Sequence, residues 1–561
     1  MKNEFIKINT SQFLAILIFS IALLLRWSAI QKIFPNNNEA QFLLSLTNNG
    51  SQPPMSFLYS ILIKPILFFT GNNYVGARMP NMIAGLLLVL LPFLFEKSLG
   101  KKTVLFLSLF FAIDPFLIAN STLSISHNFI LLFSGLLWSS IFSQKKRLSA
   151  IFFILMILSG YGISYFLVLT AIILFFDIWN RKINKLEINV RIKNFLEIFK
   201  SNISTKILII LLVLILSFVL GITVSSIIND PLLFFSGWAT QHQKGNTPLL
   251  YPTVLFAYIP LAIFMTGLYI IFWRNQDSAR YLLLLIWMLG AVLVVSFYPN
   301  HRFIDLVWVS IPGWVITSIV LSNFDMTNLL RVKNNVLAIS SIMVIFFSLI
   351  LTIIGIINKI GYQSFVFEEI ILIIVLLTVT LIILIFYAYL TSIRTAAHIL
   401  IFSVLFLAMI FQISAAMRTS GINKTPESEL LWNGYLKDSD LVKKIVNNER
   451  TFLLGTKGNL NTVSLVQNNY STLWLFKQMD ISINDETGES NPRWHMVITE
   501  FDNLSETDYL YYGQKFIVNS YPGWINQSRF ALVTNDFWKW LFFRQSNLYE
   551  EINFLWVKVN V

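Results

Sequence analysis

The chain of 561 residues has no cysteine. That excludes disulfides, a thiolate metal site and a cysteine nucleophile. Charge is scarce too: Asp, Glu, Lys and Arg make up 12% of the residues, against about 25% in an ordinary soluble domain. Histidine occurs at five positions (His127, His242, His301, His398 and His495), none with the close spacing of a metal motif, which argues against zinc. No glycine-rich phosphate loop precedes a helix in the C-terminal part, where Gly455 and Gly458 read as turns. No internal repeat marks the two matched halves common in transporters.

What the chain has in abundance is apolar surface. It is 56% hydrophobic and 15% aromatic, with a mean hydropathy of +0.68, and it reads as an α-helical polytopic membrane protein. Runs long enough to cross about 30 Å of hydrocarbon fall near 11–31, 79–96, 103–120, 127–143, 148–160, 162–179, 206–228, 252–273, 279–298, 303–322, 335–357, 367–389 and 395–416, thirteen in all. The first lacks a small-residue cleavage site and continues into Arg26 and Trp27, so it reads as a retained helix. The apolar stretch 55–70 holds Lys64 and Pro65 and reads as a helix at the membrane interface.

The formal net charge of +12 does not imply nucleic acid, because the basic residues fall in short loops between spans. Alternate loops carry them: Lys97, Lys101 and Lys102; Lys145, Lys146 and Arg147; a run from Arg181 to Lys206; Arg274 and Arg280; Arg331 and Lys333; Arg394. The other loops carry Glu39, Asp230 and Glu368-Glu369. This bias predicts a cytoplasmic N-terminus and an extracytoplasmic C-terminus. The run 181–206 reads as a cytoplasmic surface segment facing anionic lipid.

After Met417 the long apolar runs stop. Residues 417–561 read as an extracytoplasmic α/β domain following a transmembrane domain over 1–416. TFLLGT (451–456), HMVITEF (495–501) and KFIVNS (515–520) read as strands, and 438–449 as an amphipathic helix. The late aromatics Trp524, Phe537, Trp538, Trp540, Phe542 and Phe543 suit either an ordinary core or a membrane-facing surface.

The polar stretch between the first two spans, 32–78, holds a single acid, Glu39, among Asn36, Asn37 and Asn38, then Pro53-Pro54, then Arg78. A carboxylate on such a loop can serve as a general base where a lipid-borne substrate meets a water-borne one. A solvated turn is the alternative. Asp114, before Pro115 inside an apolar run, reads as structural and needs a partner at that depth.

In order along the chain stand NNNEA (36–40), QPPMSFLYSIL (52–62), ARMPNMIAGLL (77–87), AIDPFLIANSTLSISHNFILLF (112–133), a long segment over 234–272, NHRFIDLVWVSIPGWVI (300–316) and LLWNGYLKDSDLVKKIV (430–446). This succession resembles the polyprenyl-phosphate-dependent GT-C glycosyltransferases, the superfamily of protein O-mannosyltransferases and bacterial lipid-A aminoarabinose transferases. The resemblance covers nearly the whole chain. Two departures stand out. Asn38 occupies the place of the family's first-loop Asp, and STLSISHN (121–128) has no second acid.

The resemblance implies a GT-C fold in the bacterial cytoplasmic membrane. It also implies transfer of a sugar from an undecaprenyl-phosphate-type donor to a protein, glycolipid or glycan acceptor on the outer face, with inversion. Glu39 would be the general base. Arg302 first, with His301 beside it, and Arg78 second would hold the donor phosphate, since arginine suits phosphate oxygens. Asn38, His127 and Asn128, with Gln241, His242 and Lys244 of the outer loop 229–251, would contact substrate. No metal ligand set is expected, although a divalent cation remains compatible with the chemistry; a lone carboxylate makes a poor site for one. The alternatives are a non-catalytic relative that binds lipid-linked sugar, supported by Asn38, and a transporter or flippase.

Overall fold

The computed structural model describes residues 10–32, 34–47, 56–71, 73–124, 126–160, 162–180, 250–272, 278–297, 302–323, 333–361, 367–422, 429–432, 436–454, 462–464, 470–479, 481, 483–484, 495–500, 502, 510–525, 535–544 and 546–558. The predicted span 206–228, the basic run 181–206 and nearly all of the loop 229–251 lie outside the described residues.

Helices dominate. The first is α1 (Thr10–Lys32), followed by α2 (Asn37–Thr47), α3 (Phe57–Thr70) and α4 (Tyr74–Leu90). Then come α5 (Lys101–Ile113), α6 (Pro115–Ser121), α7 (His127–Phe142), α8 (Lys146–Ser159) and α9 (Ile163–Asn180). Past the undescribed segment lie α10 (Leu250–Tyr258), α11 (Pro260–Phe272), α12 (Ser278–Phe297) and α13 (Val307–Asn323), the last entered through a 3-10 turn, Phe303–Leu306. The long helices α14 (Lys333–Gly361), α15 (Phe367–Leu390) and α16 (Ile393–Thr419) complete the set.

Among the described residues, six helices are long and apolar enough to cross a bilayer, and the count rises to eight if each of two bent pairs is one span. A count of thirteen spans is not confirmed among the described residues: the run 206–228 lies outside them, and the apolar helices over His127–Phe142 and Leu282–Ser296 are shorter than that length. Hydropathy averages over a window and does not register a proline break. The run 103–120 is broken at Asp114-Pro115 by 57°, and the run 252–273 is broken before Pro260 by 102°.

Proline has no N–H and leaves the carbonyl four residues earlier without a donor. At the first break that carbonyl is Phe111 O, and Arg26 Nη2 donates to it at 3.0 Å. The Phe116 amide turns to Asp114 Oδ1 at 3.0 Å, and Arg26 Nη1 donates to the neighbouring Ala112 O at 3.2 Å. Gln412 of α16 reaches Ile113 O at 3.4 Å. Asp114 thus caps α6, and its other oxygen accepts from Ser310 Oγ at 2.7 Å. At the second break an arginine from far along the chain also reaches the bend, but one carbonyl further on: Arg544 Nη2 donates to Ala257 O, three residues before Pro260, at 2.8 Å.

Helix α13 is the buried centre of the bundle. It packs on α5, α11 and α12, and its Trp314 stacks on Phe110 with ring centroids 4.7 Å apart. Helices α14, α15 and α16 pack on one another as a peripheral trio.

Beyond Leu436 the described residues build a mixed sheet with helices α17 (Ser439–Leu454), α18 (Tyr470–Gln478) and α19 (Asn535–Phe543). Its strands are β1 (Thr462–Ser464), β2 (Ile483–Asn484), β3 (Met496–Thr499), β4 (Tyr511–Pro522) and β5 (Leu548–Lys558), in the spatial order β2-β1-β3-β5-β4. Strands β2, β1 and β3 run parallel, whereas β5 lies antiparallel to both β3 and β4. A bulge in β4 at Ile517/Asn519 is where Asp438 docks, accepting from Ile517 N at 2.7 Å. Residues 451–454, read as the start of a strand, are instead the last turn of α17, since an amphipathic helix begun at Ser439 buries Val442 and Val446 on one face. Trp524 packs on Phe537 and Trp540 at 5.1 and 4.9 Å, a buried core, while Trp538 is exposed. The side chains of Phe542 and Phe543 lie outside the described residues.

Candidate functional site

Glu39 sits at the start of α2, where Asn36 Oδ1 accepts from the Glu39 amide at 2.9 Å and caps the helix. The carboxylate is fully buried, as is Arg78 of α4. Arg78 Nε and Nη2 donate to Glu39 Oε1 and Oε2, each at 2.7 Å, a bidentate pair of the kind a guanidinium fork makes best. Ser124 N adds a third donor to Oε1 at 2.8 Å. Arg78 Nη1 donates to Ile30 O at 3.2 Å, and the Tyr74 ring lies 5.1 Å below the guanidinium. The segments NNNEA, ARMPN and STLSISHN, far apart in sequence, therefore meet at one carboxylate.

Arg78 appears here as the partner of Glu39. A phosphate would have to displace that carboxylate to use it. Asn128 is buried and donates to Asn81 O at 3.3 Å and Ser121 Oγ at 2.9 Å, tying α7 to α4 and α6. Asn81 in turn donates to Asn120 O and to Leu123 O. The turn 121–128 is thus held from both sides.

The other face of that turn carries His127. Its Nδ1 lies 3.6 Å from Asp305 Oδ1, and both side chains are buried. Asp305 Oδ2 accepts from Tyr165 Oη at 3.2 Å and from the Arg302 amide at 2.9 Å. Arg302 itself is half-buried at the entry to α13. Glu39, Arg78, His127, Asn128 and Arg302 are accordingly drawn to one end of the bundle. The side chain of Asn38, together with His301, Gln241, His242 and Lys244, lies outside the described residues. Among the described residues no group of three His, Asp or Glu side chains is placed to hold a metal ion.

The sheet-bearing part reaches the same end. Helix α18 packs on α2, with Ser471 N donating to Asn37 Oδ1 at 3.0 Å. Tyr258 Oη, beside the α10/α11 bend, donates to buried Glu429 at 2.6 Å, and Arg544 Nε lies 3.7 Å from the other Glu429 oxygen. The Arg544 guanidinium is sandwiched between the Tyr258 and Trp540 rings at 4.6 and 4.3 Å. At the opposite end of the bundle Thr103 bonds Ser322 at 2.9 Å, and Lys97, Lys101, Lys102, Lys145, Lys146 and Arg147 are exposed.

Asp305, Tyr165 and Arg26 were not singled out in the sequence. Asp305 has a local signal: it lies three residues after Arg302 at a helix start, where an acid commonly bonds back to the capping amide. An arginine within an apolar run, as Arg26 is, also marks a buried polar site. Tyr165 carries no signal of its own.

No protein-family model matches the chain, and no curated protein matches it. Among solved structures it is similar to the crystal structure of ArnT from Cupriavidus metallidurans in the apo state, with TM-score 0.49 and 11% identity over 84% of this chain and 85% of that one. It is likewise similar to the crystal structure of that ArnT bound to undecaprenyl phosphate, with TM-score 0.48 and 10% identity over 84% of this chain and 86% of that one.

Proposed function

We propose that this chain is a GT-C-type membrane glycosyltransferase of the bacterial cytoplasmic membrane. It would transfer a sugar from a polyprenyl-phosphate-linked donor to a hydroxyl acceptor at the outer face, with inversion at the anomeric carbon. The observation that carries this reading is the buried cluster at Glu39, on which three segments with GT-C-like motifs converge. The exposed lysines and arginine of the opposite end support a cytoplasmic assignment for that end, and with it an extracytoplasmic place for the sheet.

Inverting transfer needs a group that accepts the acceptor's proton and cationic groups for the departing phosphate. Arg302, half-buried at the mouth of α13, is the proposed phosphate ligand. Glu39 is the carboxylate the site is built around. To act as general base it must work through the one lone pair that Arg78 and Ser124 leave on Oε2. Purified protein supplied with radiolabelled polyprenyl-phosphate sugars and membrane extract tests the reading. The parent should transfer label, and a folded Glu39→Gln protein should not. Transfer by that variant at the parental rate would remove Glu39 from the reaction.

A second reading, a non-catalytic protein that binds lipid-linked sugar, is favoured by the engagement of both Glu39 oxygens. Saturable carrier-lipid binding without turnover of any polyprenyl-phosphate sugar would select it.

A further inference from the structure

The sheet has two faces. One joins the main core: Met496 and Ile498 of β3, with Leu555 and Val557 of β5, are buried in the same core as Trp474, Leu475 and Phe476 of α18. Side chains alternate along a strand, so the residues between these point the other way. There Val497, Tyr511 and Trp556 form a small cluster of their own. Three cross-strand rows make up this second face: Tyr511 beside Lys558, Gly513 beside Trp556 and then Val497, and Lys515 beside Phe554 and then Thr499. Gly513 and Lys515 are exposed, while Tyr511, Phe554, Trp556 and Lys558 are half-buried. These rows hold no Asp or Glu.

The Trp556 indole lies across β4. A Cβ on Gly513 would stand 2.5 Å from its Cζ3 and 2.9 Å from its Cη2, so the far rim of the ring leans over the neighbouring strand into space that glycine leaves open. Trp556 Nε1 donates to Thr499 Oγ1 at 2.7 Å, which fixes the ring from the β3 side. The Phe554 ring lies at 26° to the indole with centroids 6.0 Å apart, so the two rings tilt alike. Covering a glycine accounts for one face of the indole. The other face is turned away from the sheet, in the row between those of Lys515 and Lys558.

The geometry points to a carbohydrate platform on this face, with an acidic glycan as its ligand. A sugar ring has an apolar C–H face that stacks on the electron-rich face of an aromatic ring, and Trp556 and Phe554 carry it. Lys515, with Lys558 on the other side, attracts a carboxylate or phosphate on the same glycan. Three aromatic rings offer too little area for a stable protein interface, which takes about 800 Å² from each partner. The inference goes beyond the transferase reading, because binding here needs neither donor nor turnover.

The test uses the full chain in phosphatidylcholine nanodiscs, titrated calorimetrically with hexamannuronate and with cellohexaose as its neutral counterpart, and with no polyprenyl-phosphate sugar present. Both should bind, the acidic hexamer about tenfold more tightly at low salt. Trp556→Leu, with a parental unfolding midpoint, should weaken both about tenfold. Lys515→Gln should weaken hexamannuronate alone. Lys515 is exposed, so this second variant keeps the test open if Trp556→Leu does not fold. No saturable binding of either hexamer, or an acidic hexamer held no better than the neutral one, would overturn the inference. So would a Trp556→Leu or Lys515→Gln protein that binds both like the parent. A failure of the transferase reading shows in turnover and leaves these titrations unchanged, whereas a failure of the platform shows in binding.

Discussion

Arg26 and Arg78 are both wholly buried, yet they do different work. Arg26 spends its donors on backbone carbonyls and Ser121, whereas Arg78 is matched to the carboxylate of Glu39. Removing one member of a buried pair strands the other charge, at a cost of about 3–5 kcal/mol. Arg78→Gln should therefore lower the thermal unfolding midpoint in detergent markedly, and Glu39→Gln combined with it should recover part of the loss. A single variant that melts with the parent would contradict the pairing. At this scale the sequence was informative about residue type and less so about partners. Glu39 stands out as the lone acid of its loop, whereas Arg78 reads as a phosphate ligand and its pairing with Glu39 emerges in the fold. Asp305 carries a local signal only for its bond back to the Arg302 amide; its other partners, His127 and Tyr165, lie more than a hundred residues away in sequence.

The two proline breaks are the elements that shape this bundle. Each opens a helix within an apolar run, and each is reached by an arginine from elsewhere in the chain. At the first break the repair implies a specific rescue. Arg26→Met should destabilise by about 1–3 kcal/mol for each carbonyl it leaves unsatisfied. Adding Pro115→Ala restores an N–H to Phe111 O and should return part of that stability, read as the midpoint of thermal unfolding. Equal midpoints for the single and double variants would contradict the account. Apolar runs showed where helices lie, and Asp114-Pro115 pointed to a structural acid. The bend angles were not legible, because they depend on where Arg26, Gln412 and Ser310 approach from. For the same reason 451–454 reads as a strand and folds as the end of α17: four apolar or β-prone residues have strand character until the helix that buries their neighbours is known.

On the scale of the whole molecule, the contacts that join the sheet-bearing part to the bundle include α18 on α2 and Arg544 at the α10/α11 bend. Arg544→Gln removes the donor to Ala257 O and the cation beside Glu429. It should speed cleavage between bundle and sheet under limited proteolysis, and an unchanged fragment pattern would contradict the joint. Both contacts place the sheet over the end of the bundle that carries Glu39, Asp305 and His127, where a lipid-borne donor and a water-borne acceptor would meet. If a sugar leaves its polyprenyl phosphate there by a single displacement, the new linkage must be inverted. Purified protein incubated with one anomerically pure polyprenyl-phosphate sugar and an acceptor, with the anomeric configuration of the new linkage read by NMR, should release free polyprenyl phosphate and give a product of inverted configuration; a product of retained configuration, or donor left intact, would rule this displacement out.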